Sequence, residues 1–173
     1  MSEENAVTKD SACPADIRRA LAAHTTMTLA YVDADGPQAA AVLYAPDVDA
    51  GPVLYFVTST GTRHGRALAG AAPATGGARV AFTAQRDGQE WSGLTGLQGR
   101  GHCRPLGDDE RAAGWRVYTE RFPFVADSEP LRAALERTTL WELRPDWLRL
   151  IDNGRGFGHK EEWRRAGPRN RRS

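Results

Sequence analysis

The chain has 173 residues, 40% of them hydrophobic, and a formal net charge of +1. That suits one domain with a real core and gives no global field to draw in nucleic acid. No apolar run approaches the roughly 20 residues of a membrane span, and residues 1–11 are polar and acidic, without the basic start and apolar stretch of a secretory signal. Cys13 and Cys103 match neither a disulfide framework nor a metal motif, so they read as reduced thiols of a cytoplasmic protein.

Residues 1–14 read as a flexible N-terminal segment. Pro14-Ala15-Asp16 opens a short helix, with proline at a tolerated first-turn position and Asp16 near the positive end. Ile17, Ala20, Leu21 and His24 then share one face, His24 as a helix-end residue. Residues 26–33 alternate Met27, Leu29 and Tyr31 against Thr28, Ala30 and Val32. The turn residues Asp35-Gly36-Pro37 join this strand to a second at 38–45, as a hairpin. After a turn cluster at 46–52, strand 53–58 is apolar on both faces, as a central barrel strand is.

A helix is predicted over 62–69 and a flexible loop over 73–77. Strands 79–85 and 94–106 pair across Asp87-Gly88. Asp108 caps a helix that aligns Trp115, Tyr118 and Phe122 on one face as core packing, and another helix spans 128–137. The closing strand, 140–151, is interrupted at Arg144-Pro145, where proline implies an edge, a bend or a bulge. Five or six strands in sequential hairpins predict a mainly β (α+β) domain over residues 15–163, a small antiparallel barrel with short peripheral helices. A Rossmann sheet is disfavoured, because no Gly-x-Gly-x-x-Gly follows a strand. Residues 164–173, rich in arginine, read as a solvated, disordered tail. No aromatic follows Trp163, which argues against a nucleic-acid arm.

The chemistry concentrates in Tyr55-Phe56-Val57-Thr58-Ser59-Thr60-Gly61-Thr62-Arg63-His64. A buried strand runs into hydroxyls, a glycine and two basic residues at a helix start, which is what an anionic phosphate wants. Thr58, Ser59 and Thr62 can donate hydroxyl hydrogen bonds, and Arg63 can donate two in parallel. An ordinary Thr62 cap with a solvated Arg63 accounts for the same residues equally well.

This stretch resembles the phosphate-binding segment of the pyridoxamine 5'-phosphate oxidase-like FMN-binding split barrels. There, a strand ending in Thr leads through a short turn to Ser or Thr, Arg, and then usually Lys. Thr58, Thr62 and Arg63 match; His64 stands where Lys is commoner. Histidine is shorter and often neutral near pH 7, which implies a weaker phosphate grip or another task. Asp152-Asn153-x-x-Gly156-Phe157-Gly158-x-Lys160-x-x-Trp163 resembles the tail of the family's poorly characterised bacterial YhbP-like branch. Arg121-Phe122-Pro123 and Gly93-Leu94-x-x-Leu97-Gln98-x-x-Gly101 fit that branch too.

The resemblance covers most of residues 15–163. It implies a split-barrel homodimer with FMN at the subunit interface, bound through Thr58, Ser59, Thr62, Arg63, His64, Gln98, Lys160 and Trp163. Trp163 could cover a flat ring by stacking; a tail anchor, with Phe157 and Trp163 buried across the dimer, accounts for the pair as well. The implied function is an FMN-dependent oxidoreductase acting on an unidentified small molecule. A non-catalytic flavin- or heme-binding protein and a deazaflavin-dependent reductase use the same scaffold, and fold analogy does not choose among them. No catalytic triad is visible. His24, His64, His102 and His159 lack metal-ligand spacing; His64, His102 and His159 are candidates for a proton relay.

Overall fold

Period-two burial builds most of this molecule. In the computed structural model, which describes residues 8–9, 12–71 and 76–167, β2 (Thr26–Asp33) buries Met27, Leu29 and Tyr31. It turns back into β3 (Gly36–Asp47), followed by β4 (Val53–Val57), β5 (Ala78–Gln85), β6 (Thr95–Pro105), β7 (Leu140–Asp152) and β8 (Lys160–Arg164); a short β1 (Thr8–Lys9) lies at the N-terminal end. The helices are α1 (Ala15–Ala23), α2 (Arg63–Ala69), α3 (Asp108–Arg121), α4 (Pro123–Asp127) and α5 (Glu129–Glu136). None is long and apolar enough to cross a membrane.

The strands run β7-β4-β3-β2-β5-β6, and β6 pairs back onto β7 to close an antiparallel ring. The ring is split because β7 changes partners along one edge. Its first residues pair with β4, Leu140 opposite Val57 and Leu143 opposite Leu54. Beyond the bend, Trp147 to Ile151 pair with β8, and β1 adds in parallel outside β8. This is the antiparallel split barrel with short peripheral helices that the sequence implies.

The bend sits at Pro145. The β6–β7 register shifts between Arg100 and Gly101, so that Gly101 faces Pro145 while Arg100 faces Trp147. Proline has no ladder donor, and a bulge accommodates it without ending the strand. Gly101 is required there: a Cβ would lie 2.1 Å from the Arg144 carbonyl oxygen. Inside the ring pack Met27, Leu29, Leu54, Phe56, Phe82, Leu97, Trp141, Leu143 and Leu148, with Ile17 and Leu21 of α1 closing one end. Each such large side chain contributes about 1.5–3 kcal/mol by leaving water. A second cluster unites Ala45, Tyr118, Phe122 and Val125, with Trp115 packed against it, so the α3 aromatics are indeed core.

Several boundaries differ from expectation. Asp33 pairs with Gly36, so Ala34 and Asp35 form the turn and β3 begins at Gly36; Gly36 takes a positive φ of 99°, which suits glycine. Pro123 starts a further short helix, α4, since proline is tolerated at a first helical position. The expected N-terminal segment, the loop over 73–77 and the basic tail fall largely outside the described residues. Where they are described they are ordered: Cys13 is buried in the core, and Arg164 closes β8. Arg165 donates to the Pro145 carbonyl at 2.8 Å and stacks over Trp163.

Gly101→Ala should lower unfolding free energy by about 1–3 kcal/mol through overpacking. Gly93→Ala, whose methyl would meet nothing within 4 Å, should leave it nearly unchanged; urea denaturation midpoints check both.

Candidate functional site

The site begins where β4 ends. Both backbone groups of Thr58 are held by the β7 end of the ring: its amide donates to the Thr139 carbonyl at 3.2 Å, and its carbonyl accepts from the buried Trp141 indole at 3.0 Å. The Thr58 hydroxyl is left to meet the turn beyond. It lies 2.7 Å from His64 Nε2 and 3.4 Å from the Thr62 hydroxyl.

The turn between them holds itself. Gly61 N donates to Ser59 Oγ at 3.0 Å, and the Thr62 hydroxyl donates to the Ser59 carbonyl at 2.8 Å. Thr62 Oγ1 also accepts from Gly65 N at 3.0 Å, capping α2. The turn folds so closely over the helix that a Cβ on residue 65 would lie 2.0 Å from the Ser59 oxygen. Only glycine fits. Thr58, Thr62 and His64 thus lie together at the start of α2, with Ser59 in the turn between them.

Arg63 behaves differently. Its guanidinium, though about half exposed, is paired with two carboxylates. Nε donates to Asp33 at 2.7 Å, and Nη2 donates to Asp33 at 3.3 Å and to Asp35 at 2.6 Å. The hydrogen bond from Arg63 holds the Asp33 carboxyl below the usual carboxylate range. These partners come from the β2–β3 turn, and sequence reasoning missed them. The only signal was two carboxylates, Asp33 and Asp35, flanking a hairpin turn.

His64 is half-buried, its ring 6.3 Å from that of Tyr31, and burial lowers its pKa below the ordinary 6.5. Of the three relay candidates it alone touches the hydroxyl cluster. His102 stands on the outer sheet face, 4.0 Å from Asp146, and His159 lies in the turn before β8, its backbone carbonyl accepting from Asp152 N.

The remaining expected residues lie elsewhere. Gln98 is on β6, opposite Thr83 and Arg149. It lines a groove of about 130 Å³ with Thr83, Gln85, Leu94, Gly96 and Ile151. Lys160 is exposed at the start of β8, opposite Ile151. Trp163 corrects both of its expected roles: it is 4% exposed and belongs to the core of its own chain, so it neither covers an open ring nor needs a second subunit to bury it. Phe157, by contrast, is 85% exposed, beside Trp91. Asn153, buried, positions that pair: its amide donates to the Trp91 carbonyl at 2.7 Å, and its side-chain oxygen accepts from Gly158 N at 2.9 Å.

Comparison with known proteins identifies the family. Residues 13–152 match the family model described as pyridoxamine 5'-phosphate oxidase. The chain belongs to that family. Its relatives include a UPF0306 protein of Klebsiella pneumoniae, 32% identical over 123 residues, covering 71% of this chain and 72% of the relative. The UPF0306 protein YhbP of Salmonella paratyphi B is 33% identical over 112 residues, covering 65% and 67%, which puts the chain in the YhbP-like branch. Among solved folds, the conserved hypothetical protein Rv2991 of Mycobacterium tuberculosis superposes with a TM-score of 0.64 at 19% identity, over 94% of this chain and 99% of that one. An FAD binding protein of Mycobacterium smegmatis gives 0.57 at 13% identity, over 81% and 95%. A heme binding protein of the same organism gives 0.58 at 22% identity, over 90% and 59%. At these identities the solved structures show the fold alone.

The Arg63 contact predicts a titration. An acid whose pKa is depressed in the folded state contributes stability above its ordinary value, lost as pH falls through the depressed one. In Arg63→Ala the Asp33 titration should move up toward the ordinary 3.8, and the variant should lack the wild type's matching stability loss in acid. NMR titration of the side-chain carboxyl checks the first, and acid denaturation the second.

Proposed function

We propose that the chain is a cytoplasmic FMN-binding oxidoreductase that acts on a small molecule as a homodimer. The observation that carries this reading is the Thr58–Thr62–His64 cluster at the end of β4, in a member of the pyridoxamine 5'-phosphate oxidase family. Its polar set suits a phosphate monoester: the Thr58 hydroxyl contacts both the His64 imidazole and the Thr62 hydroxyl, with no carboxylate among them. Thr58, Ser59, Thr62 and His64 would hold the phosphate. Gln98, whose amide both donates and accepts, would meet the polar edge of the ring over the groove floored by Gly96. Leu94 and Ile151 would keep water from the ring's apolar edge. FMN, when bound, supplies the electron-transfer chemistry, and the protein supplies binding and orientation.

The dimer reading is supported by a patch of small and apolar residues on the outer face, bordered by Arg79 and Arg100. Two cross-strand rows run over β3, β2 and β5: Ala39, Ala30 and Ala81, then Ala41, Thr28 and Thr83. Val32 on the same face is 70% exposed, and Leu43 40%. Small and apolar side chains across three strands make a flat surface that a second copy can cover.

The purified protein should show the visible bands of oxidised flavin, released as FMN on denaturation. A heme spectrum, or a colourless protein that refuses added FMN, would overturn the cofactor assignment. Light scattering should give twice the 18.9 kDa of one chain, and Ala41→Glu should shift the mass toward a single chain. A wild-type mass of one chain would end the dimer reading.

A further inference from the structure

The fold treats the two basic residues of the phosphate segment in opposite ways. Arg63 is fixed between two carboxylates, Asp33 and Asp35, so that corner carries one more negative than positive charge at neutral pH. Arg66, the next cation on α2, donates to the Gly61 carbonyl. His64 is different: it touches the Thr58 hydroxyl directly and lies beside the Tyr31 ring, with no carboxylate bonded to it.

We infer that His64, not Arg63, decides whether this site accepts a phosphate-bearing ligand, so that preference for phosphate is strongest when the imidazole is protonated. The identity of that ligand as a flavin rests on the reading above.

The groups facing His64 can be named element by element. β2 brings Tyr31 and, beyond it, Asp33, which Arg63 holds together with Asp35 of the turn. The end of β4 and its turn bring the Thr58 and Thr62 hydroxyls. β6 approaches α2 around Leu68 and Ala69, with Cys103 and Arg104. The depression of the His64 pKa follows from burial, with no charged neighbour contributing. With no anion alongside, the cation is disfavoured. Protonation makes both ring nitrogens donors, so Thr58 can only accept from Nε2, and its own proton is free for Thr62 or for a phosphate oxygen. A neighbouring phosphate would in turn stabilise the imidazolium and raise its pKa.

The sign of the pH dependence separates this from titration of the ligand itself. A phosphate monoester has a second pKa near about 6, so its negative charge grows as pH rises. Loss of the imidazole proton acts in the opposite direction. Riboflavin, which carries the ring without the phosphate, isolates the phosphate contribution.

The test measures dissociation constants of FMN and riboflavin for the full-length apoprotein by flavin fluorescence, across about pH 5.5 to 8, which brackets an ordinary histidine. Wild type should prefer FMN over riboflavin roughly tenfold more at the acid end, the size of one charge-assisted hydrogen bond. His64→Gln should hold the low preference at every pH, and His64→Lys should keep the high preference throughout. Arg63→Ala should retain the wild-type slope. A wild-type preference that is flat or rises with pH overturns the inference while leaving flavin binding intact, as does an Arg63→Ala protein that alone loses preference for FMN. If no flavin binds at all, inorganic phosphate becomes the probe. A His64 NMR titration that moves up with phosphate then sustains the inference and removes the flavin reading, and one that stays put removes both.

Discussion

The bend of β7 at Pro145 is the constraint on which the other features depend. Past Leu143 the β4 edge runs out, because Leu54 is its last paired residue and β4 begins at Val53, and β8 takes up the same edge of β7 beyond the bend. At the bend the register on β6 slips by one residue, Gly101 lets the Arg144 carbonyl approach closely, and the free edge of β7 turns to meet β8. The same strand then does three jobs: it closes the ring against β6, supports β4 at one end and anchors the C-terminal strand at the other. Arg165 reinforces the arrangement from outside by donating to the Pro145 carbonyl, and Trp163 fills the core beneath it.

The candidate site inherits its rigidity from that closure. Thr58 is itself only 8% exposed, and its hydroxyl is left for His64 because the Thr139 carbonyl and the Trp141 indole satisfy its backbone. A buried backbone carbonyl without such a partner would recruit the nearest hydroxyl, and Thr58 would then have a structural task in place of its contact with His64. Trp141 is itself fully buried and stacked on Phe56. One backbone contact of the half-buried cluster is thus made by an aromatic side chain of the barrel interior.

How much of this was legible in the sequence depends on whether the deciding interaction was local. Alternation in 26–33 and in 79–85 marks half-buried strands directly, because period-two burial is written residue by residue. The Thr62 cap is equally local, its acceptor and donors lying within a few positions. β8 was not legible as a strand: Lys160–Arg164 is short and mostly charged, follows a glycine-rich turn, and gains its pairing only because β7 bends toward it. Trp163 was read as a ring cover or a dimer anchor for the same reason, since nothing nearby in the sequence shows that the core needs it. What the sequence failed to show for Arg63 acts at longer range. Its carboxylate partners stand 28 and 30 residues earlier, and a family pattern that matches only the basic residue is silent about what the hairpin turn brings to it.

That failure alters the electrostatic logic of the segment. In the sequence, Thr58-Ser59-Thr60-Gly61-Thr62-Arg63-His64 is a row of donors ending in positive charge, and its attraction for an anion looks permanent. In three dimensions the permanent charge is shared with the hairpin: Asp33 and Asp35 pair with the guanidinium and tie the β2–β3 turn to the start of α2. What remains beside Thr58 is a donor whose charge depends on conditions. A lysine at position 64 would place a fixed cation there, strongly hydrated and on a long flexible stem. The histidine is shorter, packs near the Tyr31 ring, and holds a hydrogen bond to Thr58 whether or not it is protonated, because a neutral imidazole nitrogen can donate or accept. The site can therefore keep its shape while its charge changes, which a lysine in the same place could not offer near neutral pH.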